Sequence, residues 1–434
     1  MIIKNFVAKN VHDYYNFDFT FNDNVNFLIG LNGSGKTTAI RLIQAIIFFD
    51  FEYISKLSFD SAQVTVLSNR GSIYTLSANK SDNEIIFNIN GNSEKVIFNE
   101  KAFQIKNRSI LNSRITDDDL TNYFERERFN LINTNPVFSK FHGIEKPIFL
   151  GLERTLGKYY EEGINSYRIK KNVSKSEDLA LETSLRLIDA HFEKYKRSKE
   201  LSNRKMLDIA FDSFLSYNSI DFDKYFSNRN IRSIFEILHR ADELYHIVDK
   251  IDPTGAYKKK LQKLLSVLEQ DKNSYEKGNK LTIELCFNLI QTNGLNQLLK
   301  EFDQNKKIAE LRYKPIKDFI ESINIFLKHS GKHLNIDELG NMKIYRGNKT
   351  INLHTLSSGE KQLLMLLSHS NFGVKNGGSF IIDEPELSLH LNWQESLIEN
   401  IVKGNEGVQY IFATHSPEIV GDLYDNCIYL KAEL

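Results

Sequence analysis

Val25-Asn26-Phe27-Leu28-Ile29-Gly30-Leu31-Asn32-Gly33-Ser34-Gly35-Lys36-Thr37-Thr38 decides the fold. A strand-like run meets a glycine turn of the form G-x-x-x-x-G-K-[ST], and from Thr37 to about Phe49 the residues Ile40, Leu42, Ile43, Ile46 and Ile47 recur at helical spacing. A strand before and a helix after is the context this motif requires. The glycines let the backbone curl so that its N–H groups point at phosphates, and the helix N-terminus adds partial positive charge. On this reading Asn32, Gly33, Ser34, Gly35, Lys36, Thr37 and Thr38 cradle the phosphates of a nucleotide. Lys36 reaches the β- and γ-phosphates and the Thr37 hydroxyl ligates Mg²⁺.

Working outward, Ser379-Phe380-Ile381-Ile382-Asp383-Glu384 is an apolar strand ending in two carboxylates. At such an edge Asp383 can hold the metal-bound water shell, and Glu384 can accept a proton from water attacking the γ-phosphorus. Leu356-Ser357-Ser358-Gly359-Glu360-Lys361-Gln362 opens a helix. Its N-terminus is a second anion-facing end, although Ser followed three residues on by Glu is also an ordinary helix cap. Thr414-His415-Ser416-Pro417 closes the last apolar strand and puts His415 where a γ-phosphate sensor would stand.

The chain has two kinds of territory. Strand patterns fill the start: Ile2–Val7, Phe17–Phe21, Gln63–Leu67, Ser72–Leu76, and Glu84–Ile89 joined to Lys95–Phe98 by the turn Asn90-Gly91-Asn92. Pro147–Leu152 is one more apolar run, closed by Glu153-Arg154. Between about 155 and 328 helical periodicity takes over, clearest in Ile231, Ile234, Phe235, Leu238, Ala241, Leu244, Ile247 and Val248. Pro315 fits the first turn of the segment Ile316–Leu327. Strands return at His333–Ile336, Met342–Tyr345 and Thr350–Leu353, and helix and buried strand then alternate to the end. The expected fold class is α/β, assembled from residues 1–154 and 329–434 and interrupted by a helical insertion, 155–328.

Composition narrows the setting. The 434 residues carry 56 Lys+Arg against 56 Asp+Glu, so attraction to nucleic acid over the whole surface is excluded while a local basic groove is not. The densest basic stretch runs from Arg168, Lys170, Lys171 and Lys175 to Lys194, Lys196, Arg197, Lys199, Arg204 and Lys205, interrupted by acids. Cys286 and Cys427 sit in no metal-ligand spacing. The apolar runs are too short to span a bilayer, and Met1–Phe6 lacks the features of a signal peptide, so a cytoplasmic protein without membrane contact is expected.

The four motifs, in this order, resemble the ABC-type ATPases, and the chromosome-maintenance, RecF and OLD branch more than transporter subunits. The Leu356–Gln362 stretch, the acid-rich Asp383–His390 continuation and the helical insertion carry that likeness. It implies ATP and Mg²⁺ as cofactors and two heads closing head to tail, as a dimer or within a larger assembly. Each ATP would lie between Gly30–Thr38 of one copy and Ser357, Ser358 and Gly359 of the other. Glu384 would be the general base, His415 the switch that senses the γ-phosphate, and Glu386–His390 the link between sites. The family also places a metal-reaching glutamine before the insertion; Gln63 and Gln104 are the candidates, with Gln63 favoured because it opens a strand. The chain ends soon after His415 with no nuclease signature, so any effector is expected to be a separate polypeptide. That arrangement resembles the stand-alone ATPases of anti-phage systems (PARIS first, then Septu and retron-associated). It implies a separately encoded effector such as a TOPRIM or HNH nuclease and a phage-encoded trigger protein. The alternative is a RecF-like or zinc-hook-type repair ATPase that clamps DNA; an ATPase subunit with a scaffold role is a third.

Overall fold

Short apolar runs without alternation need cover on both faces, and in a five-stranded parallel sheet they receive it. The computed structural model describes residues 1–81, 84–97, 117–151, 176–215, 228–251, 254–276, 283–337, 340–405 and 407–430. Strands β1 (Ile2–Val11), β2 (Tyr15–Thr20) and β3 (Val25–Ile29) lead through the glycine turn into α1 (Lys36–Phe48) and α2 (Phe51–Lys56). After β4 (Ser61–Leu67), β5 (Ile73–Lys80), β6 (Glu84–Ile89) and β7 (Asn92–Ile97) come α3 (Asp117–Thr134), α4 (Pro136–His142) and β8 (Ile148–Leu150). The long helices follow: α5 (Ser176–Leu215), α6 (Asn228–His239), α7 (Ala241–Ile251), α8 (Ala256–Glu276) and α9 (Ile283–Leu327). The chain then forms β9 (Lys332–Ile336), β10 (Met342–Arg346), β11 (Lys349–Ile351), α10 (Ser358–Ser368) and β12 (Ser379–Asp383). It finishes with α11 (Leu391–Lys403), β13 (Gln409–Thr414), α12 (Pro417–Val420) and β14 (Cys427–Tyr429). The fold class is α/β, as the motifs indicate.

Two compact units result. The first joins Met1–Asp189 to Pro315–Leu434, and the second is Ala190–Lys314. In the first, the parallel sheet runs β14-β3-β13-β12-β8, and every residue of β8, β12 and β13 is buried. An antiparallel sheet, β2-β1-β4-β5-β6-β7, alternates inward and outward residues instead. Its inner face carries Phe6, Phe17 and Phe19, whose neighbouring rings lie 5.4–6.0 Å apart. Asn90 and Gly91, with φ of 49° and 89°, turn the β6–β7 hairpin.

One buried amide ties distant parts of the sequence together. Gln409 Nε2 donates to Ile3 O (2.7 Å) and Asn22 O (2.8 Å), and its Oε1 accepts from Ile3 N (2.8 Å) and Ser379 Oγ (2.6 Å). A fully satisfied, fully buried amide binds β1 to β12 and β13 across more than 400 residues of sequence.

The second unit has its own core of Ile234, Ile237, Leu244, Ile247, Leu261, Leu265, Leu268, Leu295, Leu298 and Leu299. The helical stripe read between Ile231 and Val248 is divided between α6 and α7. One sequence expectation fails at the unit boundary. Pro315 does not start a helix; α9 runs through it from Ile283 to Leu327. An interior proline costs about 3 kcal/mol. Beyond it Ile316, Phe319, Ile323, Phe326 and Leu327 are all buried, each worth roughly 1.5–3 kcal/mol, which outweighs that penalty.

Candidate active site

Neighbouring parallel strands deliver the motifs to one edge. The register pairs Ile29 with Thr414 and Ala413 with Asp383, so β3, β13 and β12 end level with one another. The glycine turn, His415 and Glu384 leave from those ends, on the side of a parallel sheet where ligands bind.

The turn is shaped by close approaches. Gly33 and Gly35 take φ of 84° and 88°. A Cβ on Gly30 would lie 2.3 Å from Ser34 Oγ, and one on Gly35 would lie 3.0 Å from the Phe17 ring, so Gly30 is held to glycine by space and Gly35 by space as well as by conformation. Lys36 is 5% exposed and donates from Nζ to Gly30 O (2.7 Å) and Leu31 O (3.3 Å). A cavity of about 500 Å³ is lined by Asn32–Thr38, Glu384, His12, Tyr14 and Tyr15. The Tyr15 hydroxyl donates to Gly33 O, and the Tyr14 and Tyr15 rings lie 4.1 Å apart.

Asp383 is 5% exposed, and the Thr37 hydroxyl hydrogen-bonds to it. Burial pushes its carboxyl above the usual range, while Thr37, Lys36 and Arg41 pull it back. Its Oδ1 is buried with no hydrogen-bond partner. A hydroxyl beside a carboxylate oxygen that lacks a donor is a hard-oxygen set that suits Mg²⁺.

Glu384 has φ 51°, an uncommon left-handed conformation for a side-chain-bearing residue, and its N–H bonds Ala413 O at 2.8 Å. Burial raises the affinity of its carboxyl for a proton, Glu386 adds to this, and His415 opposes it. His415 Nδ1 lies 2.6 Å from Glu384 Oε2 and 3.2 Å from Glu386 Oε1. A base with raised proton affinity, beside the cavity that its neighbours line, is equipped to deprotonate water.

Ser357 caps α10 in a complete capping box with Glu360. Glu360 is buried; burial alone would raise its pKa, but Lys332 (2.8 Å), Ser330 and the Ser357 N–H outweigh that and hold it low. Gly359 is buried where a Cβ would meet Ser388 O at 2.7 Å, and Gln362 Nε2 donates to Pro385 O (3.0 Å). The start of α10 is thus locked to the Asp383–His390 segment, while Ser357 and Ser358 are exposed and outside the cavity lining.

Gln63 is not brought to this place. It stands on the exposed face of β4 between buried Ala62 and Val64, because side chains alternate along a strand, and it does not line the cavity. Gln104, Glu153, Arg154, Arg168, Lys170, Lys171 and Lys175 lie outside the described residues. Trp393 is half-buried, edge-on to Phe326 with ring centroids 6.2 Å apart. Sequence reasoning missed His12, Tyr14, Tyr15 and the contacts of Glu386. The only local signal for the first three was an aromatic pair between two strand patterns.

A family model described as "AAA domain, putative AbiEii toxin, Type IV TA system" matches residues 25–421. The "Retron Vc95 probable ATPase" of Vibrio cholerae serotype O1 biovar El Tor is 23% identical, over 98% of this chain and 73% of that protein. The "Retron Ec83 probable ATPase" of Escherichia coli is 26% identical over 30% of each chain. The Smc head domain of Pyrococcus furiosus, solved with an extended coiled coil and the C-terminal domain of ScpA, aligns with 99% of this chain and 94% of its own. It does so at 14% identity and a TM-score of 0.39. Of the ATPases that the sequence resembles, the retron-associated kind is represented by these relatives, and the narrower PARIS likeness receives no support from them. Among the described residues no helix is long and apolar enough to cross a membrane. A nucleotide-type glycine turn, an acid pair and a strand-end histidine at one sheet edge agree with the match over residues 25–421, and the chain belongs to this AAA-domain ATPase family.

Proposed function

We propose that the chain binds and hydrolyses ATP with Mg²⁺, and that two copies close head to tail around the nucleotide. The observation that carries the pairing is the placement of Ser357 and Ser358. Ser357 caps a helix N-terminus able to receive phosphate and Ser358 opens that helix; both are exposed, and neither lines the cavity of its own chain. A second copy supplying them would complete the site and make ATP affinity depend on association.

In this mechanism the turn N–H groups and Lys36 hold the phosphates, and Thr37 and Asp383 hold the metal. When bound, Mg²⁺ neutralises charge on the phosphate oxygens. Glu384 takes the proton from the attacking water, and His415 stands at the strand end beside it. The relatives named as retron ATPases support a place in an anti-phage complex, where this subunit acts as sensor or scaffold and a separately encoded nuclease or toxin acts as effector.

The test is Glu384→Gln with Mg²⁺-ATP. Turnover should fall about 10²- to 10⁴-fold, and the mass in solution should rise to at least that of a dimer. A variant that turns over normally removes Glu384 from the chemistry, and one that stays monomeric removes the pairing.

A second reading, a DNA-gripping repair ATPase, is favoured by one feature of the second unit. There α5, α7 and α9 line a cleft of about 790 Å³ that presents Lys199, Lys205, Lys306 and Arg312 beside Tyr195, against Asp242 and Glu243. Cations with an aromatic ring are the chemistry of a nucleic-acid groove.

A further inference from the structure

We propose that Glu386 is a positioning residue for hydrolysis: it accepts the His415 Nδ1–H that otherwise occupies Glu384, and so frees Glu384 to act as base. This deepens the ATPase reading and rests on it.

The geometry begins with a conflict. His415 Nδ1 sits 2.6 Å from Glu384 Oε2. Its neighbours there are carboxylate oxygens, acceptors when ionised, so Nδ1 is the ring nitrogen that carries hydrogen. While that bond lasts, an Oε2 lone pair of Glu384 is directed at the imidazole and not at water. A base so engaged is held in check by its own neighbour.

Glu386 offers the way out. Its Oε1 lies 3.2 Å from the same Nδ1, so a modest swing of the ring exchanges one carboxylate for the other. The ring can swing because the His415 side chain is 50% exposed. Its pivot is fixed, because Glu386 Oε1 also accepts from the His415 main-chain N–H at 3.1 Å and from the Thr414 hydroxyl at 2.5 Å. Thr414 Oγ1 in turn accepts from Ser416 N at 3.0 Å. One carboxylate thereby holds Thr414 and His415 directly and Ser416 through Thr414.

A second observation shows that Glu386 has capacity to spare. The residue is 6% exposed, and its Oε2 is buried without a hydrogen-bond partner. A buried carboxylate with one oxygen lacking a donor is under-compensated, so a further hydrogen bond to that carboxylate, here at Oε1, is favourable. His415 can provide it. With Nδ1–H on Glu386, the opposite nitrogen Nε2 is left to face a phosphate oxygen. No covalent step is added: one hydrogen bond is exchanged, and the proton from water still goes to Glu384.

The experiment is a double-mutant cycle on ATP turnover. Glu386→Ala and His415→Ala should each lower kcat by about 100-fold with KM for ATP within about threefold, and the double variant should fall no further than the worse single one. Additive losses, approaching about 10⁴-fold together, would mean that Glu386 acts independently of His415 and would overturn the proposal. Should Glu386→Ala fail to fold, Glu386→Gln takes its place, since its amide oxygen can still receive Thr414 and the His415 N–H. It should lose about tenfold in kcat, again without additivity, and turnover within about twofold of the parent rate overturns the proposal. Failure of the underlying reading looks different: the parent chain then turns over no more ATP than Lys36→Ala.

Discussion

The main-chain oxygen of Ser388 stands 2.7 Å from where a Cβ on Gly359 would be. The atom met is main chain, so no flexible side-chain end can move aside, and Ser388 itself holds φ 63°. Gly359→Ala should cost about 1–3 kcal/mol of stability and push α10 away from the Asp383–His390 segment. Chemical unfolding of the variant checks this; a midpoint matching the parent chain would mean that the segment gives way freely.

Lys36 is held 5% exposed at the mouth of the glycine turn by two main-chain carbonyls. Lys36→Ala removes the cation from the phosphate cradle and should weaken ATP binding by at least about 100-fold, in line with charge-assisted contacts worth a few kcal/mol. Equilibrium titration with a fluorescent ATP analogue measures it, and unchanged affinity would remove the lysine from the site.

Ser358 is exposed at the first turn of α10, so a long cation there disturbs little within one chain. Ser358→Arg should leave ATP affinity at low protein concentration within about twofold while reducing turnover by at least about tenfold, because it blocks the helix end offered to a second copy. A fully active variant would count against head-to-tail pairing.

His369 is fully buried just after α10 and donates from Nδ1 to Met365 O at 2.9 Å. Burial depresses its pKa from 6.5 to about 4. Above pH 6.5 the ring is neutral in both folded and unfolded chains. Between 6.5 and about 4 the unfolded chain takes up a proton that the folded chain refuses, so stability falls with acid, by on the order of 3 kcal/mol at the lower end. His369→Asn keeps an N–H near the position of Nδ1 and does not titrate. Its stability should decline less steeply from pH 7 to 4.5 in urea unfolding series, and a slope equal to the parent's would assign the acid loss to other groups.

The strand ends of the site were legible because their signals are local. Val25–Ile29 and Ser379–Ile382 are apolar runs too short for helices, each followed at once by its chemical residues. The observed strands, Val25–Ile29 and Ser379–Asp383, keep those boundaries nearly unchanged. Gln63 misled because opening a strand says nothing about which face of the sheet a side chain takes. Pro315 misled because its local penalty is outweighed by the burial of five apolar residues that follow it.

The sequence by itself determined an α/β chain, the glycine turn, the carboxylates at 383 and 384, and the helical character of the middle, since each follows from spacing within a few neighbouring residues. Only the tertiary structure decided that β3, β12 and β13 end level, that Tyr14 and Tyr15 reach the turn, and that Glu386 grips the loop of His415. The same packing joins residues as far apart as Ile3 and Gln409 through buried hydrogen bonds. Such bonds form only once the sheets have packed and excluded water, and no periodicity along the chain records them.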